Sequence, residues 1–298
     1  MADYKTYDAV GDREDLTNII YDISPTETPF MSTVGQSKAK ATYHEWQTDS
    51  LTDAVSTNAA IEGADAVAAT LAPTTRVGNY TQILQKTVQV SNTLDTVDKA
   101  GRVKETAYQL SKASSELKRD IEKTLLSDNA QDQGSSVKAR QLGGIQTWLT
   151  SNVVTAGDGV DATNFTEDNL KAAVLDAYTA GGTPSMLLVS PANKQVVSTF
   201  AGIAEQRYQA PSNSATTIIG AADVYLSDFG TMSVVPDRFL DDDVALALDP
   251  TMFSVAYLRP FKQTELAKAG DSTKHQMLTE LTLQVKNEAS SAMINGIA

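Results

Sequence analysis

The stretch Val103-Lys104-Glu105-Thr106-Ala107-Tyr108-Gln109-Leu110-Ser111-Lys112-Ala113-Ser114-Ser115-Glu116-Leu117-Lys118-Arg119-Asp120-Ile121-Glu122-Lys123-Thr124-Leu125 decides the fold. Val103, Ala107, Leu110, Ser114, Leu117, Ile121 and Leu125 recur at spacings of four and three, which is one continuous stripe of an α-helix. Lys104, Glu105, Lys112, Glu116, Lys118, Arg119, Glu122 and Lys123 fall on the other faces, with Lys118 and Glu122 one turn apart as an ion pair. The spacing predicts a helix over 98–127, ~45 Å long at 1.5 Å per residue. That exceeds the width of a small domain, so the helix is a spine against which other elements lie. Its seam uses Ala and Ser where a stable zipper needs Leu or Ile, which argues against a coiled coil.

Upstream of the spine, residues 37–90 read as a long hairpin. Ala41-Thr42-Tyr43-His44-Glu45-Trp46-Gln47-Thr48 forms one arm, and Tyr80 to Val90 forms the return, both rich in β-branched and aromatic residues. The intervening 50–75 is mostly Ala, Thr, Asp and Gly with single apolar residues, too little to bury much surface alone. A loop of that length inside a compact domain is generally functional or disordered, and ordering it takes something outside the chain. Residues 1–36 read as an arm. Leu16, Ile19, Ile20 and Ile23 make one helical stripe, Asp12 caps it, and Ser24-Pro25 stops it. So short a helix is marginal in water and needs a partner surface, its own core or a neighbour.

Downstream, 128–164 is loop-rich. Thr166-Glu167-Asp168 then opens a helix that Gly181-Gly182 closes. Met186-Leu187-Leu188-Val189 is an apolar strand, and Ser190-Pro191 starts a second helix over 192–200. Helix, strand and helix imply a sheet covered by helices, a second compact unit. From Ala222 the chain is strand-rich. In the last strand Leu281, Leu283 and Val285 face one way, while Glu280, Thr282, Gln284 and Lys286 face the other.

Composition narrows the function. Net charge is −13 from 37 acidic and 24 basic residues, with no basic run beyond Lys118-Arg119, so the counterion-releasing stripe of a duplex-binding protein is missing. An acidic wall can enclose DNA without trapping it. No cysteine is present, which excludes disulfides, a thiolate nucleophile and Cys-ligated zinc. His44 and His275 stand far apart in sequence, without a second histidine at ligand spacing. Nucleophile-elbow, phosphate-loop and dinucleotide motifs are absent, and Gly157-Asp158-Gly159-Val160-Asp161 lacks the calcium-loop spacing. Asp241-Asp242-Asp243 reads as a solvated turn. No catalytic, cofactor-binding or metal-binding residue is therefore expected. Met1-Ala2-Asp3-Tyr4-Lys5 begins no secretory signal, and no apolar run approaches a membrane span, so the chain is expected to be soluble.

Arm, hairpin, spine, helix-covered unit and returning strands, in that order, resemble the HK97-type capsid fold, an α+β architecture. Asp15-Leu16-Thr17-Asn18-Ile19-Ile20-Tyr21-Asp22-Ile23-Ser24-Pro25-Thr26-Glu27-Thr28-Pro29-Phe30 is similar to the arm of SU10-like major head proteins, and Glu280-Leu281-Thr282-Leu283-Gln284-Val285-Lys286-Asn287-Glu288-Ala289 to their final P-domain strand. The resemblance implies an N-arm over 1–36, an E-loop hairpin over 37–90, a P-domain over 91–149 with return strands over 251–298, and an A-domain over 150–250. It implies a phage head built of hexamers and pentamers around double-stranded DNA, with a portal protein as partner and scaffolding and decoration proteins as further partners. The chain starts at the arm, so a scaffold would be separate or dispensed with. The virion is the expected location, after assembly in the host cytoplasm. Contacts with neighbouring subunits are expected from Leu16, Ile19, Ile20, Ile23 and Phe30 of the arm and from Tyr43, Trp46, Leu51, Ile61 and Leu71 of the hairpin. Val103, Leu110, Leu117 and Ile121 are the expected spine seam. A Lys–Asn crosslink known in some relatives has no identifiable pair here. An encapsulin-type compartment shares the expected fold and is the alternative. A soluble α/β hydrolase would need a paired acid–base constellation that the sequence does not display.

Overall fold

The computed structural model describes residues 27–52, 54–63, 65, 68, 71–97, 104–156, 164–200, 223–268 and 270–297. The chain opens with α1 (Pro29–Thr33), β1 (Gly35–Lys38), β2 (Tyr43–Thr48), β3 (Thr75–Tyr80), β4 (Gln82–Ser91), α2 (Asn92–Thr96) and the spine α3 (Glu105–Leu125). It continues through α4 (Ile145–Trp148), β5 (Val153–Thr155), α5 (Glu167–Thr179), β6 (Met186–Val189), α6 (Pro191–Val197), β7 (Val224–Ser227) and β8 (Gly230–Pro236). It ends with β9 (Ala245–Leu248), β10 (Phe253–Glu265), β11 (Ser272–Val285) and β12 (Ala292–Asn295). Among the described residues the strands form three sheets, ordered β1-β10-β11-β4, β5-β12-β9-β6-β8-β7 and β2-β3. The fold is α+β.

The second sheet explains why Met186-Leu187-Leu188-Val189 is apolar throughout. Successive strand residues point to opposite faces, and here both faces are covered. Met186 and Leu188 join the core beneath the spine, together with Leu246, Leu248 and Met293. Leu187 and Val189 join a second core with Ala245, Ala247, Ala292 and Ile294, roofed by Leu170, Ala173, Val174 and Ala177 of α5 and Val197 of α6. The caps read from the sequence are present: Thr166 Oγ1 accepts from Asn169 N–H, and Ser190 Oγ from Asn193 N–H. The helix expected over 192–200 ends sooner, at Val197, although Phe200 stays in the second core. Gly181 takes a left-handed turn (φ 90°) after α5, which favours glycine. The next residue is confined by a neighbouring backbone: a Cβ on Gly182 would lie 2.4 Å from the Ser290 carbonyl oxygen. Gly182→Ala is therefore expected to cost about 1–3 kcal/mol through forced backbone displacement, read as a lower denaturant midpoint at unchanged slope.

The spine is shorter and differently rotated than its sequence stripe predicts. It begins at Glu105, and Val103 lies outside the described residues. Leu117, Ile121 and Leu125 are fully buried and Leu110 is half-buried against the same core, but Ala107 is exposed and Ala113, not Ser114, continues the seam. Glu122, expected on the surface beside Lys118, is fully buried. The seam turns because α3 lies across β4 and β11 while the arm fills the space beside its last turns. Lys86 of β4 reaches up to the spine, 3.0 Å from Asp120 and 3.7 Å from Glu116. The Asp120 carboxylate raises its pKa.

The hairpin is also not one pair of strands. β2 pairs with β3 from Tyr43↔Tyr80 to Thr48↔Thr75, but β4 leaves it and pairs with β11 from Gln82↔Leu281 to Ser91↔Ser272. The break is Thr81, whose N–H donates to the Thr42 carbonyl while its buried hydroxyl donates to Glu280. The alternation expected in the last strand is present, yet both faces are buried around Leu281–Leu283. On the second face Gln284 Oε1 accepts from Ser254 Oγ at 2.7 Å.

Candidate assembly surface

The hairpin combines a bare tip with a fixed root. Leu51, Ile61 and Leu71, spread along the tip, are 98, 82 and 90% exposed. At the root Asn79 is fully buried: its amide nitrogen donates to the carbonyls of Gly143 (3.0 Å) and Leu283 (2.9 Å), and its oxygen accepts from Gly143 N–H (2.8 Å). Every polar atom of that side chain thus ties β3 to the segment after the spine and to β11. Beside it, Glu280 accepts from Thr81 Oγ1 (2.8 Å), from Arg140, and from Arg259 Nε (2.7 Å). Arg140 Nε also donates to the Thr81 carbonyl. The root therefore carries a buried carboxylate satisfied by two guanidinium groups and a hydroxyl.

Tyr43 and Trp46, expected to touch a neighbouring subunit, are half-buried on their own chain. The Tyr43 ring lies 4.5 Å from that of Tyr80, and Trp46 lies 5.4 Å from Trp148 while packing on the first core. Trp46 lies on the inward face of β2, while Tyr43, three residues back, lies on the opposite face and packs across the ladder on its partner Tyr80.

Phe30 of the arm corrects its expectation more sharply. It is fully buried and meets Phe253 edge-on at 6.1 Å, so it belongs to its own subunit's core and has no surface to offer a neighbour. The N–H groups of Phe30 and Met31 donate to the two oxygens of Glu122, at 2.6 and 2.9 Å. Those amides open a one-turn helix and have no partner within it, and the buried carboxylate supplies one. Leu16, Ile19, Ile20 and Ile23 lie outside the described residues.

No group of three or more side chains able to hold a metal ion is found among the described residues. His44 sits on β2 and His275 on β11, in different sheets, and Asp241–Asp243 lie in an exposed turn with Asp241 paired to Lys123. The hairpin thus joins a buried, stapled root to a tip whose Leu51, Ile61 and Leu71 are exposed.

The SU10 major capsid protein profile matches residues 3–298. The chain belongs to the SU10 major capsid protein family. A curated relative, the major capsid protein of Escherichia phage Phieco32, is 28% identical over 98% of this chain and 96% of its own length. Among solved structures, the capsid of cyanophage A-1(L) superposes with a TM-score of 0.71 at 13% identity, covering 98% of both chains. The SrpI encapsulin of Synechococcus elongatus PCC 7942 superposes with a TM-score of 0.59 at 10% identity, over 96% of this chain and 92% of its own. The fold is thus the HK97-type capsid fold, which phage heads and encapsulins share, and the sequence family is that of phage capsid proteins.

This capsid protein has further exposed apolar side chains that sequence reasoning missed: Leu175 and Tyr178 of α5, Val224 and Leu226 of the edge strand β7, and Phe229 in the following turn. The Tyr178 and Phe229 rings stack at 4.5 Å. Leu175 and Tyr178 belonged to an ordinary amphipathic helix and Val224 and Leu226 to an ordinary strand, so neither signalled exposure. Asn79, Arg140, Glu280 and Glu122 were missed as well. A charged residue standing between Leu278 and Leu281 in a long strand was the available signal for Glu280.

Proposed function

We propose that this major capsid protein closes into hexamers and pentamers that tile a phage head around double-stranded DNA. The observation that carries the proposal is the wet tip of Leu51, Ile61 and Leu71 on a root locked by Asn79 and Glu280. Such a lever loses apolar exposure only by lying on another molecule, and in a shell that molecule is a second subunit. In this reading 1–36 is the N-arm, 37–90 the E-loop, 91–149 and 251–298 the P-domain, and 150–250 the A-domain. The arm upstream of Phe30 lies on a neighbour's spine through Leu16, Ile19, Ile20 and Ile23. The acidic balance suits a wall that contains DNA without reading it. Assembly takes place in the host cytoplasm, with a portal at one vertex and scaffolding and decoration proteins as further partners. The protein has no enzymatic role.

The test is to express the chain alone and examine it by size-exclusion chromatography and negative-stain microscopy. Rings, tubes or closed shells support the proposal. A monomer that persists with scaffold and portal supplied overturns it. Nucleic acid inside particles recovered from infected cells supports the phage head, and a packaged enzyme supports the encapsulin alternative.

Two variants separate folding from assembly. Replacing Leu51, Ile61 and Leu71 together by Ser is expected to leave the melting transition within about 0.5 kcal/mol of the parent, since these side chains are exposed, and to abolish particles. Normal particles from that variant overturn the tip's role. Removing residues 1–26 spares Phe30 and its bonds to Glu122, and is likewise expected to leave a folded chain that does not assemble.

A further inference from the structure

Two carboxyl groups meet beneath the arm. Glu122 of the spine is fully buried and accepts the Phe30 and Met31 amides. Asp237, just past β8, is fully buried as well. Its N–H donates to the Val189 carbonyl (2.8 Å), and its Oδ1 accepts from Phe239 N–H (2.8 Å). No N–H or hydroxyl among the described residues reaches its Oδ2, yet its carboxyl is in hydrogen-bond contact with that of Glu122. Ionised carboxylates only accept, so two of them in such contact require a proton between them. A fully buried pair carrying two negative charges would also repel without relief from water.

We propose that Glu122 and Asp237 share one proton, and that this proton latches the arm helix α1 to the spine and to the six-stranded sheet. The latch joins α1, the spine and the segment after β8, the last two of which are also tied by the Lys123–Asp241 ion pair. When the proton leaves, one carboxylate must move to water, and the weakest attachment gives way. That attachment is α1, a single turn that cannot persist alone. The proposal concerns contacts within one subunit and holds whether or not the chain builds shells.

The charged surroundings do not relieve the pair. Lys123 on the spine lowers the pKa of Asp237 weakly and is itself paired with the exposed Asp241. Arg119, one turn back, places its guanidinium 5.6 Å from the Phe239 ring centre. Arg238 neighbours Asp237 in sequence, and α1 has no charged residue. Burial pushes Glu122 up to about 8, opposed by the Met31 and Phe30 amides and reinforced by Asp237. Burial also raises Asp237, opposed by the Phe239 amide. The sign follows from the raised pKa. The closed latch holds a proton that the open one releases, so its stability is complete below the ordinary carboxylate range and declines as pH rises toward about 8.

Hydrogen exchange of the 29–33 segment in the full-length protein tests this directly. After correction for intrinsic base catalysis, protection is expected to fall about tenfold per pH unit from about pH 5 to about pH 8 and then level off. In Asp237→Asn the side-chain amide donates to an ionised Glu122 and no proton is shared, so the slope is expected to be much shallower than in the parent. Flat protection in the parent, or an equal slope in Asp237→Asn, overturns the proposal. If Asp237→Asn does not fold, Glu122→Gln serves, with lower but pH-independent protection expected and a parental slope overturning the latch. The parent alone gives a further readout: an infrared carboxylic-acid carbonyl band at pH 6 that disappears by pH 9. Its absence at pH 6 overturns the shared proton.

Discussion

Leu117→Asp is expected to give a chain that does not fold. Leu117 sits mid-spine at 1% exposure, inside the core that also holds Phe30, Leu142, Phe253 and Leu281. Truncating a buried leucine alone costs about 2–5 kcal/mol. The aspartate adds a charge with no buried cation to meet it, several kcal/mol more unless it takes up a proton. The sum approaches the whole of a domain's usual margin, about 5–15 kcal/mol. Leu117→Ala, which has only the first term, is expected to remain folded with a lowered denaturant midpoint. A soluble Leu117→Asp protein that melts cooperatively would show that the spine does not pack as described.

Glu280→Ala has the next largest expected effect. The carboxylate is 3% exposed and serves Thr81, Arg140 and Arg259 together. Its removal leaves Arg140, whose side chain is only 22% exposed, facing a buried site with no counter-charge. Breaking one partner of a buried pair costs about 3–5 kcal/mol. Arg259 is half-exposed and can turn to water, so about 2–4 kcal/mol is expected in denaturant unfolding. The loss should be local as well as global. Exchange at the 79–83 backbone should rise more than in the six-stranded sheet, because Thr81 loses its hydroxyl acceptor and the grip of Arg140 on its carbonyl is loosened. Equal loosening everywhere would show that Glu280 supports the fold in general and not the hairpin root.

The elements legible in the sequence were those written in periodicity. The spine's Leu117, Ile121 and Leu125, the apolar strand at Met186–Val189 and the caps at Thr166 and Ser190 each follow from local spacing or cap chemistry, and tertiary packing did not need to choose among alternatives. The loop between β2 and β3 was legible from what it lacked, since it holds too few apolar residues to bury itself. What escaped was long-range and polar. Nothing near Glu122 announces that Phe30 and Met31 will bring it two amides from ninety residues away, and surface chemistry is the ordinary reading of a glutamate flanked by Ile121 and Lys123. Phe30 was expected to face a neighbour because the resemblance places it in the arm, and its partner is Phe253, near the other end of the chain. The hairpin's split at Thr81 was invisible for a similar reason. Strand propensity runs unbroken from Tyr80 to Val90, and only the partner strands change.

That split has a mechanical consequence. β4 continues directly from β3, and it forms one edge of the sheet whose opposite edge, β1, follows directly from the arm. A pull on the hairpin tip is therefore delivered along the axis of β4, where the register from Gln82↔Leu281 to Ser91↔Ser272 is loaded in shear and all of its bonds resist together. A pull on the arm reaches β1 and its parallel register with β10, Gly35↔Ser254 to Lys38↔Tyr257, in the same manner. Tension entering at either edge is spread across the sheet's hydrogen bonds, none of which has to be broken one at a time, and the subunit is pulled in the direction in which its sheet is hardest to unzip.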